Sequence, residues 1–356
     1  MKIAVITDIH FGVRASSPYF IGRYRLFFEN IFFPMLEKEN IKTVLCLGDT
    51  WEDRKQLNIS AIKASQEMFF NPLKDKNIQM YSILGNHDVF YRNSNETNAM
   101  DIFELAYPNI QVISEFDVIT LGGVKFGMCS WIHNENLERQ LENIKTQDYD
   151  VLCGHFEIQG FEMTKGNYNE HGLEQETFKT KIPVWSGHFH IKSKQTNIRY
   201  LGNPFQTNWG DVGMERGFHI YDTDSRELTF VNNPYDNYII VPYSDNMDIE
   251  PLKGKNVRII KGNNITIDPV KLSTNIASIE LIANSVAVFE SNNSSVSVNG
   301  TDVESEISEI KSTKELIDDY IKSVTNIDDN KKQMVHTSIF DLYDRAMTMT
   351  DNSETE

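Results

Sequence analysis

Residues 2 to 10 read Lys2-Ile3-Ala4-Val5-Ile6-Thr7-Asp8-Ile9-His10, a short apolar run that stops on a carboxylate and an imidazole. A buried strand feeding a polar loop has this texture, because its middle is apolar on both faces and only its end meets solvent or ligand. The run briefly looks like a secretory leader, but Asp8 and His10 interrupt it before an apolar h-region is complete. It is therefore read as a first strand.

The pattern recurs down the chain. Further runs rich in Val, Ile and Leu end at Asp49, Asn86, His155 and His188, each in a cluster of Gly, Asp, Asn or His. Helix-like stretches separate the first three runs, one of them after Ser60 with Ile62, Met68, Phe69 and Leu73 apolar. Strands alternating with helices predict βαβ units, so the N-terminal half is expected to be α/β. From about Asn109 hairpins take over: 118–121 faces 124–128 across Gly122-Gly123, and 217–221 faces 228–231 across 222–225. A second, more antiparallel sheet is expected.

At 356 residues the chain suits one large domain with a smaller appendage. We expect a main domain over 1–234 and an accessory cap over 235–290, with strands near 238–241 and 257–260. A Ser- and Asn-rich linker over 291–312 is too polar to bury a core. Over 313–348, Leu316, Ile317, Tyr320, Ile321 and Val324, then Val335, Ile339, Leu342, Tyr343 and Met347, recur at helical spacing. These two amphipathic helices either fold back on the cap or dock a partner.

No apolar stretch approaches the roughly 18 residues of a membrane helix, so no membrane contact is expected. Cys46, Cys129 and Cys153 are odd in number, far apart and set in apolar runs, which predicts reduced core residues and a cytoplasmic location. The net charge of −17 argues against a broad basic surface for nucleic acid. Any such binding must be local, metal-assisted or shared with a partner.

The polar residues at the run ends carry the chemistry: Asp8 and His10, Gly48-Asp49, Gly85-Asn86-His87-Asp88, Gly154-His155, and Gly187-His188-Phe189-His190. In open α/β sheets ligands bind beyond the carboxyl ends of the strands, so segments distant in sequence are expected to meet there. Carboxylate, imidazole and amide oxygen without thiolate suit Mn²⁺, Fe or Zn²⁺. Asp8, His10, Asp49, Asn86, His155, His188 and His190 are too many for one tetrahedral ion, but serve two ions about 3.5–4 Å apart if one carboxylate bridges them. Asp49 is read as the bridge. Two divalent ions outweigh the charges of Asp8 and Asp49, so the site would attract a phosphodiester even in an acidic chain. His87, beside Asn86, is the natural general acid, since histidine titrates in the range that the task needs. A lone Asp-x-His or Gly-Asp is usually a surface turn; all five clusters, in order and each after a strand-like run, are not explained that way.

Together these clusters resemble the calcineurin-like metallophosphoesterase family, whose motifs Asp-x-His, Gly-Asp, Gly-Asn-His-Asp/Glu, Gly-His and Gly-His-x-His all occur here. The resemblance implies an α/β fold: a four-layer αββα core with a small α/β cap and C-terminal helices. It also implies two divalent metal ions, Mn²⁺ by preference. Asp8, His10, Asp49 and His190 would hold one ion, Asp49, Asn86, His155 and His188 the other, with His87 as the catalytic acid.

Within that superfamily the chain looks most like SbcD-type DNA double-strand-break-repair nucleases, particularly the recombination endonuclease subunits of tailed phages. Supporting segments are Gly48-Asp49-Thr50-Trp51 with Asp53-Arg54-Lys55, His171-Gly172-Leu173-Glu174, Val184 to His190, and Arg199-Tyr200-Leu201-Gly202-Asn203-Pro204. The likeness implies Mn²⁺-dependent 3′–5′ trimming of duplex DNA and nicking of single strands, with an SbcC-type, SMC-like ATPase gripped by the C-terminal helices. It further implies a homodimer within a heterotetramer, in the host cytoplasm if the source is viral. The aromatic segment 19–33 is a candidate dimer surface, although a core role suits it better.

One position departs from the pattern: some members carry a histidine three residues after the Gly-Asp aspartate, where this chain has Glu52, read here as solvated rather than water-ordering. Arg14, Arg23, Arg25, Arg54, Lys55 and Lys165 lie in loops or near motif ends and are candidate DNA contacts. Two other readings use the same residues: a phosphatase or small-molecule phosphodiesterase, since fold and ligands do not select the substrate, and a mainly non-catalytic DNA-end-binding or ATPase-docking subunit. His133, His219 and His336 are read as structural or surface residues.

Overall fold

The computed structural model describes residues 1–178, 181–244, 247–248, 250–261, 278–283 and 336. The expected linker over 291–312 and the expected helices over 313–348 lie outside the described residues, apart from His336. The chain divides into two compact units, Met1–Ser291 and Asn292–Glu356, and apart from His336 the described residues belong to the first.

Each apolar run read from the sequence is a strand. In chain order these are β1 (Lys2–Ile6), β2 (Thr43–Leu47), β3 (Gln79–Ile83), β4 (Ile110–Ile113), β5 (Phe116–Leu121) and β6 (Val124–Cys129). Then come β7 (Val151–His155), β8 (Val184–Gly187), β9 (Ser193–Gln195), β10 (Ile198–Tyr200), β11 (Gly217–Asp222) and β12 (Glu227–Asn232). They form two six-stranded sheets, ordered β12-β11-β1-β2-β3-β4 and β9-β10-β8-β7-β6-β5. In the first, β1 to β4 are parallel, as βαβ units require, and β11 lies antiparallel against β1. In the second, parallel β6, β7, β8 and β10 are flanked by antiparallel edges. The Gly122-Gly123 hairpin has both glycines at positive φ, 54° and 77°, the geometry of a tight two-residue turn. The later hairpin also forms, but it extends the first sheet beside β1 and not the second.

Alternation along the strands explains the layers. Ile3, Val5, Leu45, Leu47 and Ile83 point one way and meet Phe126, Met128, Val151, Cys153 and Trp185 of the facing sheet. Ala4, Ile6, Val44, Cys46 and Met80 point the other way, against a helical layer rich in phenylalanine. The outer face of the second sheet packs Cys129, Leu152, Val184 and Ile198 against Ile144 of the helix Leu137–Thr146 and against loop aromatics. The result is a four-layer αββα sandwich, and all three cysteines are free and buried in it. A separate parallel three-stranded sheet follows, with Tyr238–Pro242 beside Asn256–Lys261 and that beside Ser278–Ala283.

The helical layer has a particular local form. Pro18–Phe27 runs through a π-helical turn, Phe28–Phe32, into Phe33–Lys38; Ile59–Ser65 runs through Gln66–Phe70 into Asn71–Asp75. Each π turn stands just before a proline, Pro34 or Pro72, and the wider turn relieves the clash that a proline ring makes with the carbonyl four residues back. The two π turns face each other through Phe28 and Phe69, ring centroids 5.0 Å apart. Phe20, Tyr24, Phe27, Phe28, Phe32 and Phe33 are all buried, so the aromatic segment 19–33 puts these rings into the chain's own core. Among the described residues no helix is long and apolar enough to cross a membrane.

Candidate metal centre

The carboxyl ends of β1, β2, β3, β7 and β8 converge. The backbone stitches the first two together, with the Asp8 amide donating to the Gly48 carbonyl and the His10 amide to Asp49. Asp8, His10, Asp49 and His188 all hold left-handed backbone, at φ 52°, 54°, 50° and 90°. Non-glycine residues rarely adopt it, and each such residue costs about 1 kcal/mol or more that the surrounding fold must hold. Strain gathered at three strand ends marks where this fold gives up stability for geometry.

Two donor groups result. In one, His10 Nε2 lies 3.0 Å from His190 Nε2 and 4.0 Å from Asp8 Oδ1, with His190 Nε2 3.9 Å from the same oxygen. In the other, His155 Nε2 lies 3.3 Å from Asp49 Oδ2 and 3.2 Å from Asn86 Oδ1, which is 2.9 Å from His188 Nδ1. Asp49 Oδ2 is also 3.7 Å from His10 Nε2, so this carboxylate faces both groups. All seven residues proposed from the sequence are therefore brought together.

The donor set fits cations. The His155 Nδ1 edge meets the Leu47 carbonyl at 2.8 Å, so Nδ1–H donates there and Nε2 is the atom that faces the Asp49 and Asn86 oxygens. A cation between these atoms satisfies them, and without one a proton on the imidazole takes its place. Burial and neighbouring charge set the protonation of each group. Burial opposes ionisation of Asp49, yet His155, His10 and His87 hold its carboxyl well below the usual carboxylate range. Burial raises the Asp8 carboxyl, and the Asp49 charge adds to that, against the pull of His155. Burial would lower His10 and His155, but Glu52 and Asp49 raise the first to about 9, and Asp49 and Asp8 raise the second to about 9. Burial takes His188 and His190 down to about 3, helped by the neighbouring charges of His155 and His10 respectively, and leaves both neutral and ready to ligate.

His87 sits beside this cluster, its ring edge-on to His10 at 5.1 Å. Its amide donates to Asp49 Oδ1 at 2.8 Å, and its Nδ1 lies 2.5 Å from the Glu52 carbonyl, which leaves Nε2 free to carry a proton. Glu52 is not the solvated charge expected from the sequence: Oε2 is 2.9 Å from His10 Nδ1, and the side chain is 38% exposed. His10, Glu52 and His87 thus form a third cluster of potential ligands beside the other two.

Several supporting residues went unassigned in the sequence reading. Asp88, fully buried and raised to about 7 chiefly by burial, accepts from the Trp51 and Gly85 amides and joins the β2 and β3 loops. Thr7 Oγ1 donates toward Asp8 Oδ2 and the Leu47 carbonyl. Arg216, 3% exposed, pairs with Asp211 at 2.7 Å and reaches the His190 carbonyl and Asn203 Oδ1. Only the run Arg199 to Pro204, which contains Asn203, hinted at this support.

The candidate DNA contacts divide. Arg54 Nε and Nη2 grip the Asn86 carbonyl at 2.8 and 2.6 Å and hold the loop of this candidate ligand. Arg23 binds Asn237 and Asp236, and Arg25 pairs with Glu29 and Glu67, so both guanidinia are committed to the protein. Arg14, Lys55 and Lys165 are exposed. Arg14 borders a cleft of about 420 Å³ with Glu52, Asp53 and Asn58, and Lys165 one of about 320 Å³ with His188 and His190. A third cleft of about 240 Å³ runs from His155 past Trp131 and His133.

A sandwich of this kind with histidine and carboxylate at its strand ends defines a metallophosphoesterase. The model of calcineurin-like phosphoesterases matches residues 1–192, more than half of the chain, and the chain belongs to that family. Exonuclease subunit 1 of Enterobacteria phage T4 is 29% identical over 350 residues, which is 97% of this chain and 99% of that protein. Among solved structures, an archaeal phosphodiesterase aligns at TM-score 0.36 and 16% identity, over 65% of this chain and 100% of its own. GAP50, the inner-membrane-complex anchor of Plasmodium, aligns at 0.32 and 10%, over 66% and 90%.

Proposed function

We propose that this protein is a divalent-metal-dependent DNA nuclease. The observation that carries the reading is the likeness to an exonuclease subunit over 97% of the chain, together with a donor set that fits two cations. Asp8, His10 and His190 would hold one ion, Asn86, His155 and His188 the other, and Asp49 both. When bound, the ions supply Lewis acidity toward a phosphoryl oxygen and ease deprotonation of water.

The chain's own groups do the rest. His87, with Nδ1–H given to the Glu52 carbonyl, presents Nε2 to the departing sugar oxygen and delivers the proton it needs. Arg54 fixes Asn86 through its carbonyl, and Arg216 with Asn203 fixes His190. Trp131, 5.3 Å from the His188 ring and 6.1 Å from that of His155, packs against this side of the donors. Clefts flank the donors on several sides, which favours a strand passing through over a small ester held in one pocket.

The finer reading is Mn²⁺-dependent 3′–5′ trimming of duplex DNA with single-strand endonuclease activity, in recombination and break repair. It includes an SMC-like, SbcC-type ATPase partner docked by 313–348, and a homodimer within a heterotetramer in the cytoplasm, the host's if the source is viral. The main domain would end near 234, with 235–290 as a cap.

The test is release of label from 3′-labelled linear duplex DNA in Mn²⁺, with EDTA and His87→Ser controls, alone and with the ATPase. Metal-dependent release that falls on the order of 10²-fold or more in the variant is expected. Silence on DNA in both formats, alongside turnover of a small phosphodiester, would move the assignment to a small-molecule phosphodiesterase.

A further inference from the structure

Immediately after the Gly85-Asn86-His87-Asp88 turn the chain makes a small hairpin, Val89–Tyr91 with Ser94–Asn98, closed by Arg92 and Asn93. Its root is rigid. Val89 is buried in the helical-side core, and the Ala99 amide donates to the Asp88 carbonyl. Asn95, 1% exposed, donates through Nδ2 to the carbonyls of Ser114 and Trp131. Trp131 is the residue whose ring lies against His155 and His188, so hairpin and donor cluster share one frame.

The tip is the opposite. Phe90 is 37% exposed and Tyr91 53%, their rings edge-to-face at 4.8 Å, and Arg92 beside them is exposed. Arg92 lies close enough to Arg54 for the two guanidinia to repel. Two large rings left partly exposed above a buried root, three and four residues past His87, present apolar surface of the kind that usually marks a binding site.

We propose that Phe90 and Tyr91 form a stacking platform for unpaired nucleobases of the strand being cut, with Arg92 facing its phosphates; this rests on the nuclease reading above. Stacking suits this molecule for three reasons. It needs no broad basic surface, against which the net charge of −17 argues. Every base offers a π face, so it tolerates any sequence, as a trimming enzyme must. Base faces are covered inside a duplex, so the platform selects frayed ends and single strands, and Arg92 adds cation–π and phosphate contacts at the same point.

The experiment uses the full chain, with Phe90→Ala, Tyr91→Ala, the double variant and the conservative Phe90→Tyr. Binding is read by quenching of 2-aminopurine placed in an unpaired 3′ overhang, and compared with an overhang of the same length made abasic. Label release from both substrates is measured in parallel, with melting temperature, metal titration and sedimentation as controls. Each alanine should weaken binding of the base-bearing overhang on the order of tenfold and remove its quenching, while abasic DNA binds as before and Phe90→Tyr restores the difference. If the double variant binds and trims base-bearing DNA as the parent does, the platform is wrong and the nuclease reading stands. A change in sedimentation with DNA binding untouched means that the rings cover a second copy, which also overturns it. If the parent chain neither binds nor cuts DNA in any metal, with or without the ATPase, the nuclease reading falls and takes the platform with it.

Discussion

Glu52 stands three residues after Asp49 and reads in the sequence as one more turn charge. The structure puts it to two uses: its carboxylate meets His10 Nδ1 at 2.9 Å, and its carbonyl meets His87 Nδ1 at 2.5 Å. A carboxylate behind an imidazole fixes the tautomer and raises the basicity of the nitrogen that ligates. Glu52→Gln keeps the shape and the carbonyl but removes the charge. We expect Mn²⁺ affinity at the Asp8–His10–His190 group to fall about tenfold to a hundredfold, with the Asp49–His155–His188 group unchanged, in a titration followed by electron paramagnetic resonance. Equal weakening of both sites, or none, would refute this. Glu52 was illegible because its role depends on which way a loop turns. The seven candidate donors stood out in the sequence because they gather at the ends of five apolar runs, where the chemistry of the residue and its place in the fold coincide. Arg216 lies at the opposite extreme: it is 3% exposed and holds His190 from behind, yet nothing around it in the sequence marks a site.

At the scale of elements, the centre exists because strand ends approach closely, and glycine permits the approach. Gly48, at φ +88°, has the Gly85 amide and His155 Nδ1 where a Cβ would sit, at 2.7 and 2.6 Å. Gly85 in turn abuts the Asp49 carboxylate and amide. A methyl at Gly85 must push β3 away from β2 and carry Asn86 with it. Gly85→Ala should therefore destabilise the protein by about 1–3 kcal/mol, as overpacking does, and blunt the rise in melting temperature on adding Mn²⁺. An undiminished metal-induced rise would show that the loops have slack. The run-and-loop pattern made the parallel strands readable, whereas the placement of the β11–β12 hairpin was not. Its alternation fits either sheet, and its position is decided by pairing with β1 across more than two hundred residues. The π turns were also hidden, although Pro34 and Pro72 inside helical patterns are their trace.

For the molecule as a whole, the governing fact is the charge of −17 set against a phosphate polymer. On the nuclease reading, that charge gives no long-range attraction, so binding would come from a small region: bound cations, Arg14 and Lys165 at the clefts, the exposed Lys55 and Arg92, and base stacking. Arg23 and Arg25 do not widen that region, because both are paired internally. Affinity from phosphate neutralisation falls with salt at about 0.9 decade per decade for each contact on duplex DNA, so the slope counts contacts. For the isolated chain in Ca²⁺, substituted to slow cleavage, the slope of log affinity against log salt should be no steeper than about −4. Fluorescence anisotropy between 50 and 200 mM salt measures it, values that lie in the range where such slopes are informative. Addition of the ATPase should steepen the slope if that partner supplies the basic surface. A slope near −8 for the chain alone would mean about nine phosphate contacts, more than the exposed cations near the centre can make, and would place the DNA on a different face of the protein.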